Sequence, residues 1–249
     1  MQGQPPDPAA RPRRTRRPGR HPVRLCLPRQ PPARVTRKGS SDTTAGGGGA
    51  DGADGPGAFD GPLGRIGERG PARTPAGSFR LVPVRIERDL ALLSQWMNDP
   101  AVAAYWELAG PPAVTADHLR AQLDGDGGSV PCIGVLDGTP MSYWEIYRAD
   151  LDPLARHYPA RPHDIGVHLL IGAAGDRGHG VGSVLLRAVA DLALDGRPAA
   201  PRVIAEPDLR NIASVAAFLN AGFRFTAEVD LPAKRAALMV RDRSLRHRM

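Results

Sequence analysis

The sequence predicts an α/β domain over residues 78–249, in which helices flank a mixed central sheet, preceded by a disordered basic tail over residues 1–77. Three observations predict this class. From residue 79 onward, short apolar runs alternate with longer amphipathic runs, which is typical of strands alternating with helices. A glycine-rich segment separates one such strand from the following helix. The first 77 residues contain few large apolar side chains, so burial cannot offset the entropy lost on ordering them.

Periodicity places the elements of the domain in order. Residues 79–86 alternate as a strand, and Asp89 can cap a helix over residues 90–97, which ends before an Asn-Asp-Pro sequence. Thr115 can cap a second helix that ends at residue 123, before a glycine-rich segment. Two apolar runs flanking an Asp-Gly-Thr turn then predict a hairpin, over residues 130–136 and 141–147.

The remaining alternation predicts four strands and two helices. The strands cover residues 164–171, 202–206, 223–230 and 236–240, and the helices cover residues 181–194 and 212–220. The order β-α-α-β-β-β-α-β-α-β-β is therefore that of an α/β domain, and its length allows a substantial core.

Charge distinguishes the tail from the domain. Residues 1–40 contain eleven Lys or Arg and one acidic residue, a net charge of +10; the whole chain is +7, so residues 41–249 carry −3. The high isoelectric point belongs to the tail, and we expect no nucleic-acid partner for the domain. No run approaches the ~18 apolar residues of a membrane span. The two cysteines form no metal or disulfide pattern, so we expect a cytoplasmic protein without a metal.

A glycine-rich turn carries the clearest functional signal. Residues 177–182 read Arg-Gly-His-Gly-Val-Gly, between the strand over residues 164–171 and the next helix. Glycines leave backbone N–H groups bare, and the helix N-terminus adds unpaired donors and the positive end of its dipole. The third glycine comes one position too early for the dinucleotide fingerprint, and no lysine follows as in a P-loop. The alternative is a plain strand-to-helix turn.

The pattern R-x-x-G-x-G resembles the pyrophosphate loop of the GNAT N-acetyltransferases, which use acyl-coenzyme A (acyl-CoA). A later segment, from Asn211 through Phe218 to Phe223, resembles the second motif of that family. The resemblance implies the GNAT acyl-CoA N-acyltransferase fold and no metal. It also implies an asparagine on the pantetheine arm and a helix packed beside the cofactor. The expected cofactor-binding residues are Leu170, Ile171, Arg177, Gly178, His179, Gly180, Val181, Gly182, Asn211 and Phe218.

A narrower resemblance is to the siderophore acyltransferases, which acylate N6-hydroxylysine. It covers residues 79–243 and is carried by blocks at residues 96–100, 105–107, 143–147, 164–172, 206–211 and 231–234. It implies a hydroxylysine-type small-molecule acceptor and a donor that is acyl-CoA or an acyl carrier protein. The product would be a hydroxamate, whose two hard oxygen atoms chelate Fe(III).

The resemblance also implies roles for individual residues. His168 is expected to be the general base, because imidazole has the unperturbed pKa nearest neutrality, and Asp208 its orienting or proton-accepting partner. The two strands that carry them splay apart in this family. Backbone N–H groups around Leu170 and Ile171 would polarise the thioester carbonyl. Phe218 departs from relatives with a tyrosine there and cannot protonate the thiolate, so a charged His168 is the available donor.

Aromatic residues near the two hairpin strands suggest an acceptor pocket. Trp106, Trp144 and Glu145 are expected to line it, with Glu145 meeting an α-ammonium; the alternative is core packing in an alternating hairpin. Three rival functions remain: an aminoglycoside 6′-N-acetyltransferase, a protein N-terminal acetyltransferase, and a non-enzymatic acyl-CoA-binding or nucleic-acid-associated module. The aminoglycoside enzymes have acidic clefts, whereas residues 81–249 carry only −2, from 18 basic and 20 acidic residues.

Overall fold

The computed structural model describes residues 63, 66–67, 69–125 and 127–246, so most of the predicted tail lies outside the described residues. Eight strands form one sheet in the order β1-β2-β3-β4-β5-β6-β8-β7. The strands are β1 (Ala72–Thr74), β2 (Gly77–Pro83), β3 (Ser129–Leu136), β4 (Thr139–Arg148), β5 (Ile165–Ile171), β6 (Arg202–Ala205), β7 (Arg224–Asp230) and β8 (Arg235–Asp242). The helices are α1 (Ile86–Met97), α2 (Pro100–Trp106), α3 (Pro112–Leu123), α4 (Val181–Gly196) and α5 (Ile212–Asn220).

The sheet is mixed, which confirms the predicted fold class. Among its pairings only that of β5 with β6 is parallel. Every predicted strand and helix is present, with ends displaced by a few residues. In the part of the chain that the structure describes, no helix is long and apolar enough to cross a membrane.

Two predicted helix starts were wrong. Helix α1 begins at Ile86, so Asp89 lies inside its first turn, where its carboxylate accepts a hydrogen bond from the Arg85 N–H at 2.9 Å. Helix α3 begins at Pro112, because proline has no N–H to leave unpaired in a first turn. Thr115 is therefore buried within α3 and caps nothing.

Helix α2 and strand β1 were not predicted. Helix α2 follows Asp99, whose side chain accepts from the Ala101 N–H at 2.9 Å, and Pro100 occupies its first position. The Asn-Asp-Pro sequence thus starts a helix as well as ending one. Strand β1 pairs with β2, so the described fold begins before the expected boundary at residue 78.

The core lies on both faces of the sheet, and strand alternation decides which residues reach the site. Trp144 packs on one face among α4 and α5, in contact with Phe79. Tyr143 packs on the opposite face, with α1 and α3. Because successive side chains of a strand point to opposite faces, Glu145 lies on the α1 and α3 face with Tyr143. His168 is the cross-strand neighbour of Glu145 on β5, so the candidate site lies on this face.

Candidate active site

The edge between β5 and β6 is open along most of its length. The two strands pair only at Ile165 with Val203 and at Gly166 with Ile204. Strand β5 nevertheless continues to Ile171, paired with β4 alone. The strands thus separate beyond Gly166, as the resemblance implied, and leave the backbone of β5 unpaired on one side.

The ladder with β4 determines which N–H groups face this opening. The Gly172 N–H donates to the Met141 carbonyl at 2.8 Å. N–H groups alternate in direction along an antiparallel pair, so that of Leu170 also points to β4. Those of Leu169 and Ile171 point to the open edge. The N–H groups of Leu170 and Ile171 were expected to polarise the thioester carbonyl, but only the Ile171 N–H points to the open edge.

His168 lies beside this opening, and its ring is held between two carboxylates. Its Nδ1 is 3.0 Å from Glu145 Oε2, and its Nε2 is 2.6 Å from Glu206 Oε1. Both carboxylates belong to buried residues, whereas the His168 side chain is 36% exposed. Carboxylates only accept hydrogen bonds, so both contacts are satisfied when both ring nitrogens carry a proton. The arrangement therefore favours an imidazolium.

Three further side chains surround this cluster. The Tyr147 hydroxyl donates to Glu206 Oε2 at 3.1 Å and lies 3.4 Å from His168 Nε2. Lys234 Nζ is 3.6 Å from Glu206 Oε1. The Trp106 ring is edge-on to the imidazole, with centroids 6.2 Å apart. The imidazole is thus enclosed on several sides, but its side chain remains partly exposed.

The charges of the cluster reinforce one another. Burial lowers the pKa of His168, but the charge of Glu206 and the hydrogen bonds from both carboxylates raise it more, to about 10. Burial raises the pKa of Glu206, but His168 and Lys234 lower it to about 2. Both directions favour the ion pair at neutral pH.

We expect the His168 ring to titrate well above 6.5 and near 10 in an NMR pH titration of the ligand-free protein. Since the folded pKa of His168 is raised, its protonation contributes stability that is lost as the pH rises from 6.5 through about 10. The folded pKa of Glu206 is lowered, so its contribution is lost as the pH falls from 4.5 through about 2. Glu206→Gln removes one negative charge and should move the midpoint down. The exposed His157 serves as the reference ring, and a His168 midpoint at or below 6.5 would contradict the arrangement.

Asp208 does not contact His168, contrary to the expected pairing. Its carboxylate accepts from the Arg210 guanidinium at 2.6 Å and from the Arg210 N–H at 2.8 Å. Its pKa is lowered mainly by the Arg210 hydrogen bond. The carboxylate that β6 presents to the imidazole is Glu206, two residues earlier, because Asp208 has left the strand and bridges to Ala236 of β8.

The glycine-rich loop has backbone conformations that favour glycine and leaves the space beside them open. Gly178 and Gly180 have φ values of +80° and +79°, and a Cβ added at either would meet nothing within 4 Å. Gly180 is the N-cap of α4 and supplies no side-chain cap. The N–H groups of Val181 and Gly182 fall in the first turn, where no intrahelical partner exists. His179, within the loop, is exposed.

The Arg177 side chain does not project toward the loop as a free cation. Its guanidinium donates to the Ile171 carbonyl at 2.9 Å, to the Gly172 carbonyl, and to Asp99 Oδ1 at 2.9 Å. It therefore ties the end of β5 to the start of α2. Arg177 was expected among the cofactor-binding residues, and its guanidinium is here hydrogen-bonded to protein groups.

The two residues expected from the second motif lie on α5. Asn211 caps the helix, with Oδ1 accepting from the Ser214 N–H at 3.1 Å. Phe218 is buried against Phe223, with ring centroids 5.0 Å apart. Phe218 is therefore a core residue that supports α5, and its ring does not line an open cleft.

The expected acceptor pocket is also revised. Trp144 is fully buried, and its indole N–H donates to the Ser142 hydroxyl at 2.8 Å, so it belongs to the core on the other face of the sheet. Glu145 is buried, and protein groups contact both of its oxygens, so it is not placed to meet an ammonium. Trp106 does lie at the site.

Three residues of the cluster were missed from the sequence. Glu206 and Tyr147 lie in the resemblance blocks at residues 206–211 and 143–147, but neither was assigned a role at the site. His118 on α3 was not considered, although its Nε2 lies 2.5 Å from Glu145 Oε1. Period-two alternation along β4 would have grouped Tyr147 with Glu145 and separated both from Trp144. The sequence around His118 contains no pattern that predicts its contact with Glu145, 27 residues away.

Comparisons with known proteins agree with the predicted family and fold. Residues 85–231 match the family model described as an acetyltransferase (GNAT) domain. The lysine N-acyltransferase MbtK of Mycobacterium sp. (strain MCS) is 36% identical over 163 residues, which are 66% of this chain and 66% of the relative. The N(6)-hydroxylysine O-acetyltransferase of Escherichia coli is 36% identical over 167 residues, 67% of this chain and 52% of the relative. Neither match reaches the whole of the relative.

A solved structure supports the fold. The aminoglycoside acetyltransferase AAC(6′)-Ib in complex with coenzyme A aligns with a TM-score of 0.61 and 26% identity, over 69% of this chain and 97% of that one. Nearly all of that structure therefore aligns with this chain.

Proposed function

The chain belongs to the acetyltransferase (GNAT) domain family, and on that premise we propose that it is an N-acyltransferase. It moves an acyl group from acyl-CoA to the N6 nitrogen of N6-hydroxylysine. The product is a hydroxamate of the kind that siderophores use to chelate iron. One relative named as a lysine N-acyltransferase and another named as an N(6)-hydroxylysine O-acetyltransferase support a lysine-derived acceptor of this kind.

His168 supports this activity most directly. It stands at the open edge of β5, with one carboxylate on each ring nitrogen, beside a stretch of unpaired backbone. A thioester carbonyl at the Ile171 N–H would lie along the same strand. A proton donor, a proton acceptor and an oxyanion donor are thereby brought to one edge of the sheet, which is what acyl transfer requires.

A hydroxylamine acceptor suits a site that contains an imidazolium better than an amine acceptor would. A lysine ammonium has a pKa of about 10.4 and must lose a proton before it can attack. The oxygen bonded to N6 withdraws electrons, so a hydroxylamine nitrogen is already neutral at physiological pH. The site therefore does not need a neutral histidine to deprotonate the nucleophile.

Proton transfer then follows the contacts of the cluster. As N6 attacks, an N–C bond forms and the C–S bond breaks. The proton leaving N6 passes to Glu206, and the imidazolium of His168 gives its proton to the departing sulfur. Glu206 returns its proton to His168, which balances the cycle. His168 thus acts as the acid that Phe218 cannot be, and Glu206 takes the role expected of Asp208.

The donor is acyl-CoA, with its diphosphate on the bare N–H groups of residues 178–182. An acyl carrier protein shares the pantetheine arm but has a single phosphodiester in place of the diphosphate. We therefore expect the CoA thioester to be used more efficiently than the same acyl group on a carrier protein, by comparison of kcat/KM.

The acceptor is tested by supplying N6-hydroxylysine, lysine or kanamycin to the purified protein with acetyl-CoA, and by following thiol release and product mass. We expect turnover with N6-hydroxylysine and at least about 100-fold lower kcat/KM with the other two, equal to about 2.7 kcal/mol. Ferric ion colours an N-acyl hydroxamate but not an O-acyl ester, so it identifies the acylated atom. Preferential turnover of kanamycin, or an O-acyl product, would refute the proposal.

A further inference from the structure

Helix α3 carries no residue at the open edge, yet it reaches the reaction centre through a buried carboxylate. His118 and Gln122 are four positions apart on α3 and so share one face. His118 Nε2 lies 2.5 Å from Glu145 Oε1, and the Gln122 amide donates to the same oxygen at 2.8 Å. The Tyr143 hydroxyl donates to it as well, at 3.0 Å. One oxygen of Glu145 is thus held by three side chains.

The other oxygen of Glu145 is left for His168. Oε2 lies 3.0 Å from His168 Nδ1, so the carboxylate cannot turn toward or away from the ring without breaking contacts on its far side. Burial raises the pKa of Glu145, but the charges and hydrogen bonds of His118 and His168 lower it well below its usual range. Glu145 therefore remains an anion.

We propose that His118, acting through Glu145, is a positioning residue that fixes the orientation and charge of the His168 imidazole. This inference rests on the acyl-transfer function proposed above. When Glu145 holds the His168 ring at Nδ1, the Nε2 of the same ring points toward Glu206 and the opening between β5 and β6. Gln122 adds a second hold from α3, and its own carbonyl accepts from the Ser129 hydroxyl at 2.8 Å. The side chains of His118 and Glu145 are 7% and 10% exposed, so neither is placed to touch the substrates.

The groups around the imidazole come from several elements and must be considered together in any pH measurement. Strand β4 contributes Glu145 and Tyr147, and Glu206 follows β6. Lys234, before β8, acts on Glu206, and His118 acts on Glu145. Loss of the Glu145 charge is the cleanest perturbation, because it removes one of the two anions that contact the ring.

The test is a double-mutant cycle between His118 and His168, two residues joined through Glu145. We expect His118→Gln to lower kcat by about 10-fold to 100-fold in the wild-type background, the loss that follows misplacement of a reacting group. In the His168→Gln background the same change should alter single-turnover rates by less than about twofold. CoA affinity and thermal midpoint report whether each variant is folded, and the exposed His157→Gln is the matched control.

Equal losses in both backgrounds would overturn the inference and leave His118 a structural residue. Should His118→Gln fail to fold, Gln122→Met removes a hydrogen-bond donor from the same oxygen of Glu145. A smaller loss of kcat that disappears in the His168→Gln background supports the inference. A loss of the same size in both backgrounds refutes it. Glu145→Gln should also lower the NMR-measured pKa of His168 by at least about one unit. That measurement needs no acceptor substrate. It therefore distinguishes failure of the positioning role proposed for His118 and Glu145 from failure of the proposed function.

Discussion

His168→Ala is expected to lower kcat for acyl transfer by about 10²-fold to 10⁴-fold, the range for loss of a general acid or base. In the proposed mechanism the imidazole is the group through which Glu206 and the departing sulfur exchange a proton, and its Nε2 lies 2.6 Å from Glu206 Oε1. CoA affinity should stay near the wild-type value, because the glycine-rich loop proposed to bind the diphosphate lies beyond the end of β5.

The effect is measured by steady-state kinetics with acetyl-CoA and N6-hydroxylysine, with binding of CoA followed separately by calorimetry. His157→Ala, at an exposed position away from the cluster, should have wild-type kinetics. Unchanged turnover in His168→Ala would remove the imidazole from the mechanism.

Gly180→Val is expected to weaken CoA binding by at least about 100-fold, or about 2.7 kcal/mol. The residue has φ +79°, which a β-branched side chain adopts only as an outlier. Relief of that strain would rotate the N–H groups at the start of α4 away from the diphosphate. The valine would also occupy the space that is open in the loop.

The matched control is Gly138→Val. Gly138 has φ +84° and equally open surroundings, but it lies in the turn between β3 and β4. Both variants should lose some thermal stability through backbone strain, and only Gly180→Val should lose affinity in calorimetry. Retention of wild-type affinity by Gly180→Val is incompatible with a diphosphate held by this loop.

Local patterns predicted much of the fold. Amphipathic periodicity located α4 and α5, and helix α5 was predicted with its observed ends. The turn between the hairpin strands and the glycine-rich loop were also found, because their signals are contained in a few consecutive residues. Helix α2 was missed because Asp99-Pro100 was interpreted as the end of one helix and not also as the start of the next.

The site was harder to predict because its contacts join distant segments. Glu206 and Asp208 are two residues apart and both acidic; only the departure of the chain from β6 decides which one faces His168. The Arg177 guanidinium meets Asp99, 78 residues earlier, a pairing that no local pattern reveals. Trp144 is different, because alternation along the strand would have separated it from Glu145, although both were expected to line one pocket.

The central claim is that residues 178–182 hold the diphosphate of acyl-CoA while the opening between β5 and β6 directs the thioester to His168. A crystal structure of the protein with a non-hydrolysable acyl-CoA analogue tests it most directly. We predict diphosphate oxygens within hydrogen-bonding distance of the amides of Gly178 to Gly182, and the carbonyl at the Ile171 N–H. A diphosphate bound elsewhere, or an acyl group outside the β5–β6 opening, would contradict the claim.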